Sequence, residues 1–384
     1  MDSDYDVIVV GLGGMGSSAA YRLAQRGLRV LGIEQFRPAH ELGSSHGGSR
    51  IVRKAYFEGP AYVPLLMRAY ELWDELSADF GERLFTRCGA LMIGAPDSAV
   101  VAGALTSARH WNLPHDYLDS TELARRYPQF RLYPGQVAVF ERDAGYALPE
   151  ATVLANIELA LDAGAELWFE TAVESIELGP GGVHISAGGE AVHAPKLVLA
   201  TGAWANRLAN MDQFPLSVTR QTTHWFETSR PDDFDSERFP VYLWDIPGPR
   251  EIQLYGFPAV PGEIGVKTAI YKDGQTTAVD PDQLERTVSA SDTEPVRQLI
   301  NAGLPGLDGD LVRSSVCMYP GAEGDDFVLG LHPGSSGRVV LAVGFSGHGF
   351  KFVPVIGEIV ADLVQHGQSR LDIGFLSPDR FRRV

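Results

Sequence analysis

The chain has 384 residues, of which 45% are hydrophobic and 21% are charged, and its formal net charge is −17. Such a length and composition are typical of a globular protein that can bury the cores of two domains. The acidic balance argues against a nucleic-acid or anionic-membrane partner, because either would need a basic face. It leaves room for an anionic substrate, since a local basic pocket can lie within an acidic surface.

Cysteine content and the N-terminus indicate the compartment. Cys88 and Cys317 are the only cysteines, so no disulfide framework supports the fold. The chain runs from its first residues directly into an apolar strand, without the regions of a signal peptide. It contains no run of about 18 or more apolar residues. We therefore expect a cytoplasmic protein without a membrane partner.

The first predicted elements form a glycine-rich turn. The β-branched run Val7–Val10 predicts a strand that stops at Gly11, and Gly13 and Gly16 complete a G-x-G-x-x-G pattern. Apolar spacing predicts a helix over residues 17–27. In such a unit the first glycine makes the turn, the second lets backbone approach a pyrophosphate, and the third lets the helix pack on the strand. The helix N-terminus offers free N–H groups to the phosphates.

A second strand and an acid complete this unit. Residues 30–33 predict the strand, and Glu34 at its end is placed to accept hydrogen bonds from a ribose diol. Strand, helix, second strand and acid in register predict a dinucleotide site. This stretch alone does not distinguish NAD from FAD.

Further along the chain, periodicity predicts a mixture of elements. A polar loop at residues 43–56 carries three cations, and a buried strand at residues 196–199 runs into a glycine turn and a helix. Residues 216–269 alternate and are rich in aromatic side chains, which is typical of an antiparallel sheet. The remaining predictions are helices over 60–76, 97–111, 120–126, 149–164 and 291–302, strands over 90–93, 165–169, 315–319, 327–331 and 339–343, and a glycine-rich motif at 344–352 that leads into a helix through 364.

These elements predict an α/β fold with two interleaved domains. A discontinuous, Rossmann-like nucleotide-binding domain alternates along the chain with an α+β substrate domain, whose mixed, largely antiparallel sheet covers the cofactor. The predicted nucleotide domain comprises residues 1–85, 146–218 and 312–384, and the predicted substrate domain comprises residues 86–145 and 219–311.

Several candidate site residues have ordinary structural alternatives when each is taken alone. The Ala200-Thr-Gly202 turn can bring backbone close to a dinucleotide or can be an ordinary strand-to-helix turn. Cys317 can be a buried structural thiol, and Lys267 can be a solvated charge on an edge strand. The cations of the polar loop can be surface residues.

Four motifs together carry a resemblance that distinguishes these alternatives. They are Gly43-Ser-Ser-His-Gly-Gly-Ser-Arg-Ile-Val-Arg53, Tyr255-Gly-Phe-Pro258, Val316-Cys-Met-Tyr319 and Gly344-Phe-Ser-Gly-His-Gly-Phe-Lys-Phe352. In this order they resemble the monomeric sarcosine oxidase family, which includes N-methyltryptophan oxidase, among the glycine/D-amino-acid oxidase-like flavoproteins. The likeness covers nearly the whole chain. It implies FAD rather than NAD, a GR2-type FAD domain, and oxidation of a secondary amine to an imine with reduction of O2 to hydrogen peroxide.

The resemblance also implies how the flavin is held and tuned. Cys317 lies where the family attaches FAD through an 8α-thioether, and Arg50, near His46, lies at the arginine above the flavin ring. Lys267 aligns with the lysine that activates oxygen, a role that suits a preorganised positive charge. The helix after the last motif is expected to point its N-terminus at the flavin. The implied FAD-binding residues are Gly11, Gly13, Gly16, Glu34, Ser44, Arg50, Val173, Gly202, Cys317, Gly347, Gly349 and Lys351.

Substrate contacts follow from the same resemblance. Arg53 and Lys351 fall on the pair that grips the substrate carboxylate, and two cations at one small anion explain how an acidic protein binds an amino acid. Tyr255 and Tyr319 are expected to line the substrate cavity. Tyr271 stands about where the sarcosine enzymes carry a histidine facing the substrate, and the polar loop also departs from the common family pattern. These changes leave the identity of the amino acid open.

The sequence therefore predicts a monomeric flavoenzyme for an N-methyl or cyclic secondary amino acid such as sarcosine, with no metal and with no side chain assigned as general base. Two alternatives stay open at this point. A dehydrogenase could pass electrons to a quinone or protein acceptor, although Lys267 argues for oxygen. A non-catalytic dinucleotide-binding or assembly protein could retain the fold, although it would need neither the cations nor Cys317.

Overall fold

The computed structural model describes residues 5–179, 181–208, 214–272 and 277–382. In this part of the chain, no helix combines the length and apolar character that crossing a membrane requires. The α-helices are α1 Gly14–Gln25, α2 Val63–Phe80, α3 Ala99–His110, α4 Ser120–Arg126, α5 Pro149–Asp162, α6 Ala290–Gly303 and α7 Val353–His366. The strands are β1 Val7–Val10, β2 Val30–Ile33, β3 Arg50–Val52, β4 Phe85–Arg87, β5 Ala90–Gly94, β6 Asp116–Leu118, β7 Val137–Glu141, β8 Gly145–Ala147, β9 Glu166–Trp168, β10 Val173–Gly179, β11 Gly182–Ala187, β12 Glu190–Ala194, β13 Lys196–Leu199, β14 Leu216–Phe226, β15 Val241–Ile246, β16 Ile252–Gly256, β17 Val266–Lys272, β18 Leu311–Ala322, β19 Val328–Leu331 and β20 Val339–Val343.

A six-stranded sheet with the order β19-β20-β13-β1-β2-β9 forms the first large layer. Its strands are parallel except β19, which runs antiparallel to β20. The strands come from the beginning, the middle and the end of the chain, as the predicted α/β pattern requires. Sheets of this kind bind ligands outside the carboxyl ends of their strands.

The side chains of β1 show why this sheet is the middle of three layers. Val7 and Val9 pack into a core shared with α1, α2 and α7, whereas Ile8 and Val10 pack into a second core shared with β11. This alternation follows from the two-residue period of a strand. Helices therefore cover one face, and the small sheet β10-β11-β12 covers the other.

An eight-stranded sheet with the order β18-β14-β17-β16-β15-β5-β7-β6 forms the second large layer. Its neighbouring strands are antiparallel except β15 and β5, which are parallel. The prediction of a mixed, largely antiparallel sheet is confirmed. The antiparallel expectation for residues 216–269 holds for the pairs within that range, and the one parallel pair joins β15 to β5, which comes from an earlier part of the chain.

Strands β14 and β18 are long and pair along their whole length, from Leu216 opposite Ala322 to Phe226 opposite Leu311. The predicted domain boundary at residue 218 falls inside β14, so this strand continues across it. Strand β18 is the edge of the eight-stranded sheet. The division of the chain into two domains stays a prediction.

Most predicted elements agree with the structure to within a few residues, and three differ for physical reasons. Helix α1 begins at Gly14 rather than at residue 17, with Gly13 as its N-cap. Helix α2 continues to Phe80 and ends at Gly81, whose φ of 83° is the left-handed conformation that favours glycine. The helix predicted after β13 is a 3-10 helix, Gly202–Arg207.

Candidate active site

A cavity of about 340 Å³ lies where β1, β2 and β13 end. Its walls are glycine-rich turns, the end of β2, the polar loop and the last glycine-rich motif. The predicted cofactor-binding residues that line it are Gly11, Gly13, Glu34, Ser44, Arg50, Val173, Gly202, Gly347 and Gly349. The structure thus brings together, in one cavity, residues from four separate parts of the chain.

Each glycine of the first turn is a glycine for a different geometric reason. Gly11 has a φ of 87°, and a Cβ on it would lie 2.6 Å from the carbonyl oxygen of Ala200. A Cβ on Gly16 would lie 1.7 Å from the carbonyl oxygen of Gly11, so Gly16 sets how closely α1 packs on β1 and does not line the cavity. A Cβ on Gly13 would meet only the hydroxyl of Ser45, at 3.6 Å, and would otherwise project into the cavity.

Glu34 is held in place by the backbone around it. Its carboxylate accepts hydrogen bonds from the N–H of Leu12 at 2.8 Å and from the N–H of Phe36 at 3.1 Å. Burial raises the pKa of Glu34, while these backbone donors oppose the shift. Each oxygen keeps lone pairs free for a further donor on the cavity side, which is what a ribose diol would supply.

The cavity has the features that a dinucleotide requires. Gly13, Gly14 and Met15, at the N-terminus of α1, line one wall. The hydroxyl of Thr201, which also lines the cavity, is buried and has no hydrogen-bond partner in the described part of the chain. An unpaired buried hydroxyl costs free energy unless a ligand binds it. The residues present therefore fit FAD.

Cys317 lies at the boundary of this cavity, in strand β18. Its thiol is buried and is 3.6 Å from Nη2 of Arg50. Arg50 also donates to the carbonyl groups of Ser44 at 2.9 Å and Ser49 at 2.8 Å. The cavity walls include the next two residues of the strand, Met318 and Tyr319, rather than Cys317 itself. The structure thus brings together Cys317 and Arg50, which were both predicted to contact the flavin.

A smaller cavity of about 60 Å³ adjoins the first one. The two cavities share Arg50, Tyr319, Gly347 and Phe350 as lining residues. The other lining residues of the smaller cavity are Ile51, Arg53, Glu58, Leu243, Tyr255, Phe257, Tyr271, His348 and Lys351. All the predicted substrate residues therefore lie around it, and a molecule bound there would lie next to the cofactor cavity.

Arg53 is paired with an acid that the sequence analysis missed. Its Nη2 donates to both carboxylate oxygens of Glu58, at 2.7 and 2.8 Å, and its Nη1 donates to the carbonyl of Ala55. Although burial opposes it, the adjacent Arg53 keeps the pKa of Glu58 below its ordinary value. The Nε of Arg53 is buried without a partner among the described residues. An unpaired buried donor costs free energy unless a ligand binds it.

Lys351 is a further cation of the smaller cavity, which Arg50 and Arg53 also line. Its ammonium donates to the carbonyl of His348 at 2.6 Å and lies 5.0 Å from the ring centroid of Tyr56. Burial, together with the charge of Arg53, lowers the pKa of Lys351 to about 7. Burial also lowers the pKa of His348 to about 4, so its ring is neutral; Nδ1 accepts from the hydroxyl of Tyr56 and Nε2 donates to the carbonyl of Asp325.

Three tyrosines form an aromatic wall of the smaller cavity. The hydroxyl groups of Tyr255 and Tyr319 are 3.4 Å apart, and the ring of Tyr271 lies 6.5 Å from that of Tyr255 and 6.0 Å from that of Tyr319. Burial raises the pKa of all three, so they are neutral phenols. The hydroxyl of Tyr271 points at the carbonyl of Ser346, at 3.4 Å.

Lys267 lies behind the polar loop and lines neither cavity. Its ammonium donates to the carbonyl groups of Gly47 and Ser49, at 2.7 and 2.8 Å, and to the hydroxyl of Ser49 at 3.3 Å. No carboxylate of the described residues forms an ion pair with it. Burial, followed by the charge of Arg50, lowers the pKa of Lys267 well below its ordinary value.

His46 is buried next to these cations. Burial, Arg50 and Lys267 lower the pKa of His46 to about 3, so the imidazole is neutral. Its Nε2 lies 3.1 Å from the carbonyl of Gly43, which can only accept, and Nε2 therefore carries the proton. His46 lines neither cavity. Its contact with the backbone of its own loop stabilises the shape of that loop.

Comparison with known proteins agrees with this arrangement. The sequence profile of the DAO family, described as FAD dependent oxidoreductase, matches residues 6–363. A monomeric sarcosine oxidase of Streptomyces avermitilis is 43% identical over 99% of this chain and 98% of its own length. An N-methyl-L-tryptophan oxidase of Salmonella heidelberg is 34% identical over 99% of both chains. Among solved structures, NikD, an unusual amino acid oxidase essential for nikkomycin biosynthesis, has a TM-score of 0.85 at 26% identity and covers 98% of each chain.

Proposed function

The chain belongs to the DAO family of FAD-dependent oxidoreductases, and on that premise we propose that it oxidises a small N-methyl or cyclic secondary amino acid with O2 as electron acceptor. Bound FAD would take two electrons from the substrate and pass them to O2, giving hydrogen peroxide. The substrate becomes an imine that hydrolyses; for sarcosine the products are glycine and formaldehyde. The relatives named for oxidation of N-methyl amino acids support this substrate class.

The single observation that carries the proposal is the smaller cavity beside the cofactor cavity. It is lined by three cations, Arg50, Arg53 and Lys351, against one acid, Glu58, and the Nε of Arg53 has no partner among the described residues. An excess of positive charge at one small cavity suits a carboxylate, which binds charged donors more strongly than neutral ones. The volume of about 60 Å³ favours a compact amino acid over one with an indole side chain.

The chain's own residues would orient the substrate and keep water out. Arg53 and Lys351 hold the carboxylate, and the wall formed by Tyr255, Tyr271 and Tyr319 encloses the N-methyl end. The amine must be neutral to donate electrons. The three phenols are neutral, and we assign none of them as a base.

The cofactor contacts belong to the same proposal. Gly11, Gly13 and Glu34 would hold the ADP half, and Arg50 would lie at the flavin half. We propose a thioether between the sulfur of Cys317 and the 8α-carbon of FAD, supported by the position of the thiol beside Arg50. Its formation would break the S–H bond and one C–H bond of the 8α-methyl group, and the two electrons would pass to the flavin and then to O2. The remaining proposed FAD contacts are Gly16, through helix packing, and Ser44, Val173, Gly202, Gly347, Gly349 and Lys351.

Oxygen activation is assigned to Lys267, and His46 would shape the loop beside it. A buried ammonium without a paired carboxylate suits the stabilisation of a negative charge that develops nearby. We further propose that the protein is a cytoplasmic monomer with the two interleaved domains described above. The name monomeric sarcosine oxidase in its relatives supports the oligomeric state.

The test is oxygen consumption by the purified protein with sarcosine, N-methylalanine and L-proline. We expect peroxide to form in proportion to substrate without an added acceptor. Turnover only with a quinone or an artificial acceptor would instead identify a dehydrogenase. Absence of flavin and of turnover would exclude the enzyme.

Acid precipitation tests the tether separately. Yellow colour in the wild-type pellet, and in the supernatant for Cys317→Ser, is the expected pair of results. Cys88→Ser is the matched control, because Cys88 lies outside both cavities. A colourless wild-type pellet with a yellow supernatant would refute the thioether but not the oxidase activity.

A further inference from the structure

Glu150 contacts the polar loop from the side opposite to Lys267. Its carboxylate accepts hydrogen bonds from the backbone N–H groups of Gly47 and Gly48, the latter at 3.1 and 3.2 Å. Both glycines are left-handed, with φ of 91° and 75°. Successive N–H groups in such a turn converge on one anion, and Glu150 occupies that position.

The carbonyl groups of the same short segment hold the two cations. The oxygens of Gly47 and Ser49 accept from Lys267, and the oxygen of Ser49 also accepts from Arg50. A Cβ on Gly47 would lie 3.6 Å from Nη1 of Arg50 and 3.8 Å from Nζ of Lys267, so this residue lies between the two cations. The direction of each peptide unit therefore fixes where both positive charges lie.

We propose that Glu150 is a positioning residue: it fixes the Gly47–Ser49 segment so that its carbonyl groups bind Lys267 and Arg50. Glu150 touches neither cation's donor atoms directly and acts through the backbone between them. The inference rests on the proposed function, because the placement of Arg50 and Lys267 affects the reaction only if they have the roles proposed above.

The position of Glu150 in the chain explains why the carboxylate stays in place. It lies in the first turn of α5, next to Pro149, where the helix dipole favours a negative charge. Its charge also opposes the effect of burial on the pKa of Lys267. A single acid thereby holds the loop and provides a counter-charge for two buried cations.

The experiment compares Glu150→Ala with Glu150→Gln. The glutamine oxygen can still accept from both N–H groups, whereas alanine removes the acceptor. Glu158→Gln is the matched control, since Glu158 is exposed on the same helix. Hydrogen–deuterium exchange of the peptide spanning residues 44–52 reports the loop, FAD content reports cofactor binding, and stopped flow gives the rate constant of the reduced enzyme with O2.

In Glu150→Ala we expect faster exchange of the loop peptide and an oxygen rate constant lower by about tenfold or more, because misplacing a reacting group by 1 Å can cost about a hundredfold. Glu150→Gln should keep slow exchange and about a third or more of the rate constant, since a neutral acceptor gives a bond about half as strong. The control should match the wild type.

Unchanged exchange and an unchanged oxygen rate constant in a flavin-containing Glu150→Ala would overturn the inference. So would a Glu150→Gln protein as impaired as Glu150→Ala, because the acceptor alone would then not suffice. If Glu150→Ala does not fold, the loop exchange and the oxygen rate constant of Glu150→Gln still test the inference. A wild-type protein that binds no flavin would refute the proposed function, and this inference would fall with it.

Discussion

We expect Lys351 to make carboxylate binding depend on pH in a range where the neighbouring groups do not titrate. Its pKa is lowered to about 7, first by burial and then by Arg53. The pKa of His348 is lowered to about 4, that of Glu58 is also lowered, and that of Tyr271 is raised by burial. Arg53 stays protonated. Between about pH 6 and pH 9, Lys351 is therefore the group in this cavity that changes charge.

The size of the effect follows from that pKa. The protonated form holds the anion, so affinity is highest below about pH 7 and falls as the pH rises. Each unit above 7 reduces the protonated fraction, and thus the affinity, by up to about tenfold. The total loss of affinity is limited by the free energy of a charged hydrogen bond, about 1.5–3 kcal/mol, which corresponds to an increase in Kd of about 10- to 150-fold.

The assay uses a carboxylate without an amine, so that ionisation of a substrate amine does not interfere. Acetate is titrated into the flavin-containing protein, and its Kd is read from the change in visible absorbance between about pH 6 and pH 9, where a carboxylate stays ionised. Lys351→Met should bind about 10- to 150-fold more weakly at about pH 6 and show no pH dependence. Lys272→Met removes a partly exposed lysine and is the matched control.

A wild-type Kd that stays constant across this range would refute the reasoning. The same slope in Lys351→Met would also refute it, because the titrating group would then be another one. If only the slope of Lys272→Met differed, the effect would come from surface charge.

Two further predictions concern packing. Gly16→Ala places a Cβ 1.7 Å from the carbonyl oxygen of Gly11. We expect this variant to lose bound FAD, measured by flavin absorbance, and to be destabilised by about 3 kcal/mol or more, measured by thermal unfolding. Gly181→Ala places its Cβ in open space and should be neutral. Flavin-replete Gly16→Ala of wild-type stability would contradict this. Tyr271→Ala removes one wall of the smaller cavity and should raise kcat/KM for N-methylalanine relative to sarcosine by about tenfold, as expected for about one added methylene. Tyr271→Phe should keep the wild-type preference; an equal change in both variants would point to the hydroxyl instead.

Nine of the predicted cofactor-binding residues line one cavity, and backbone geometry dictates several of their residue types. Gly11 and Gly16 are glycines because a Cβ would collide with backbone, and Glu34 ends a strand whose register is set by its apolar run. Such constraints leave a readable pattern. Strands Val7–Val10 and Val339–Val343 were predictable because each is a run of apolar residues.

The partners of the cations were not predictable in this way. Glu58 and Glu150 have no periodic relation to Arg53 or Lys267, and their contacts depend on how loops fold over one another. The position of Lys267 behind the loop depends on the pairing of β17 with β14 and β16, which the sequence does not specify. The available signal was limited to Glu58, which lies five residues after Arg53, because a buried charge needs a partner.

The strand order β19-β20-β13-β1-β2-β9 also determines when the protein can acquire its cofactor. During synthesis the first turn emerges early, but β20 and the glycines at 347 and 349 are made much later. A nascent chain that ends before them lacks these residues of the cavity wall. We therefore expect cofactor loading to follow the synthesis of β20, and a truncation that removes β20 should abolish flavin binding even though the glycine-rich turn at the start of the chain is intact.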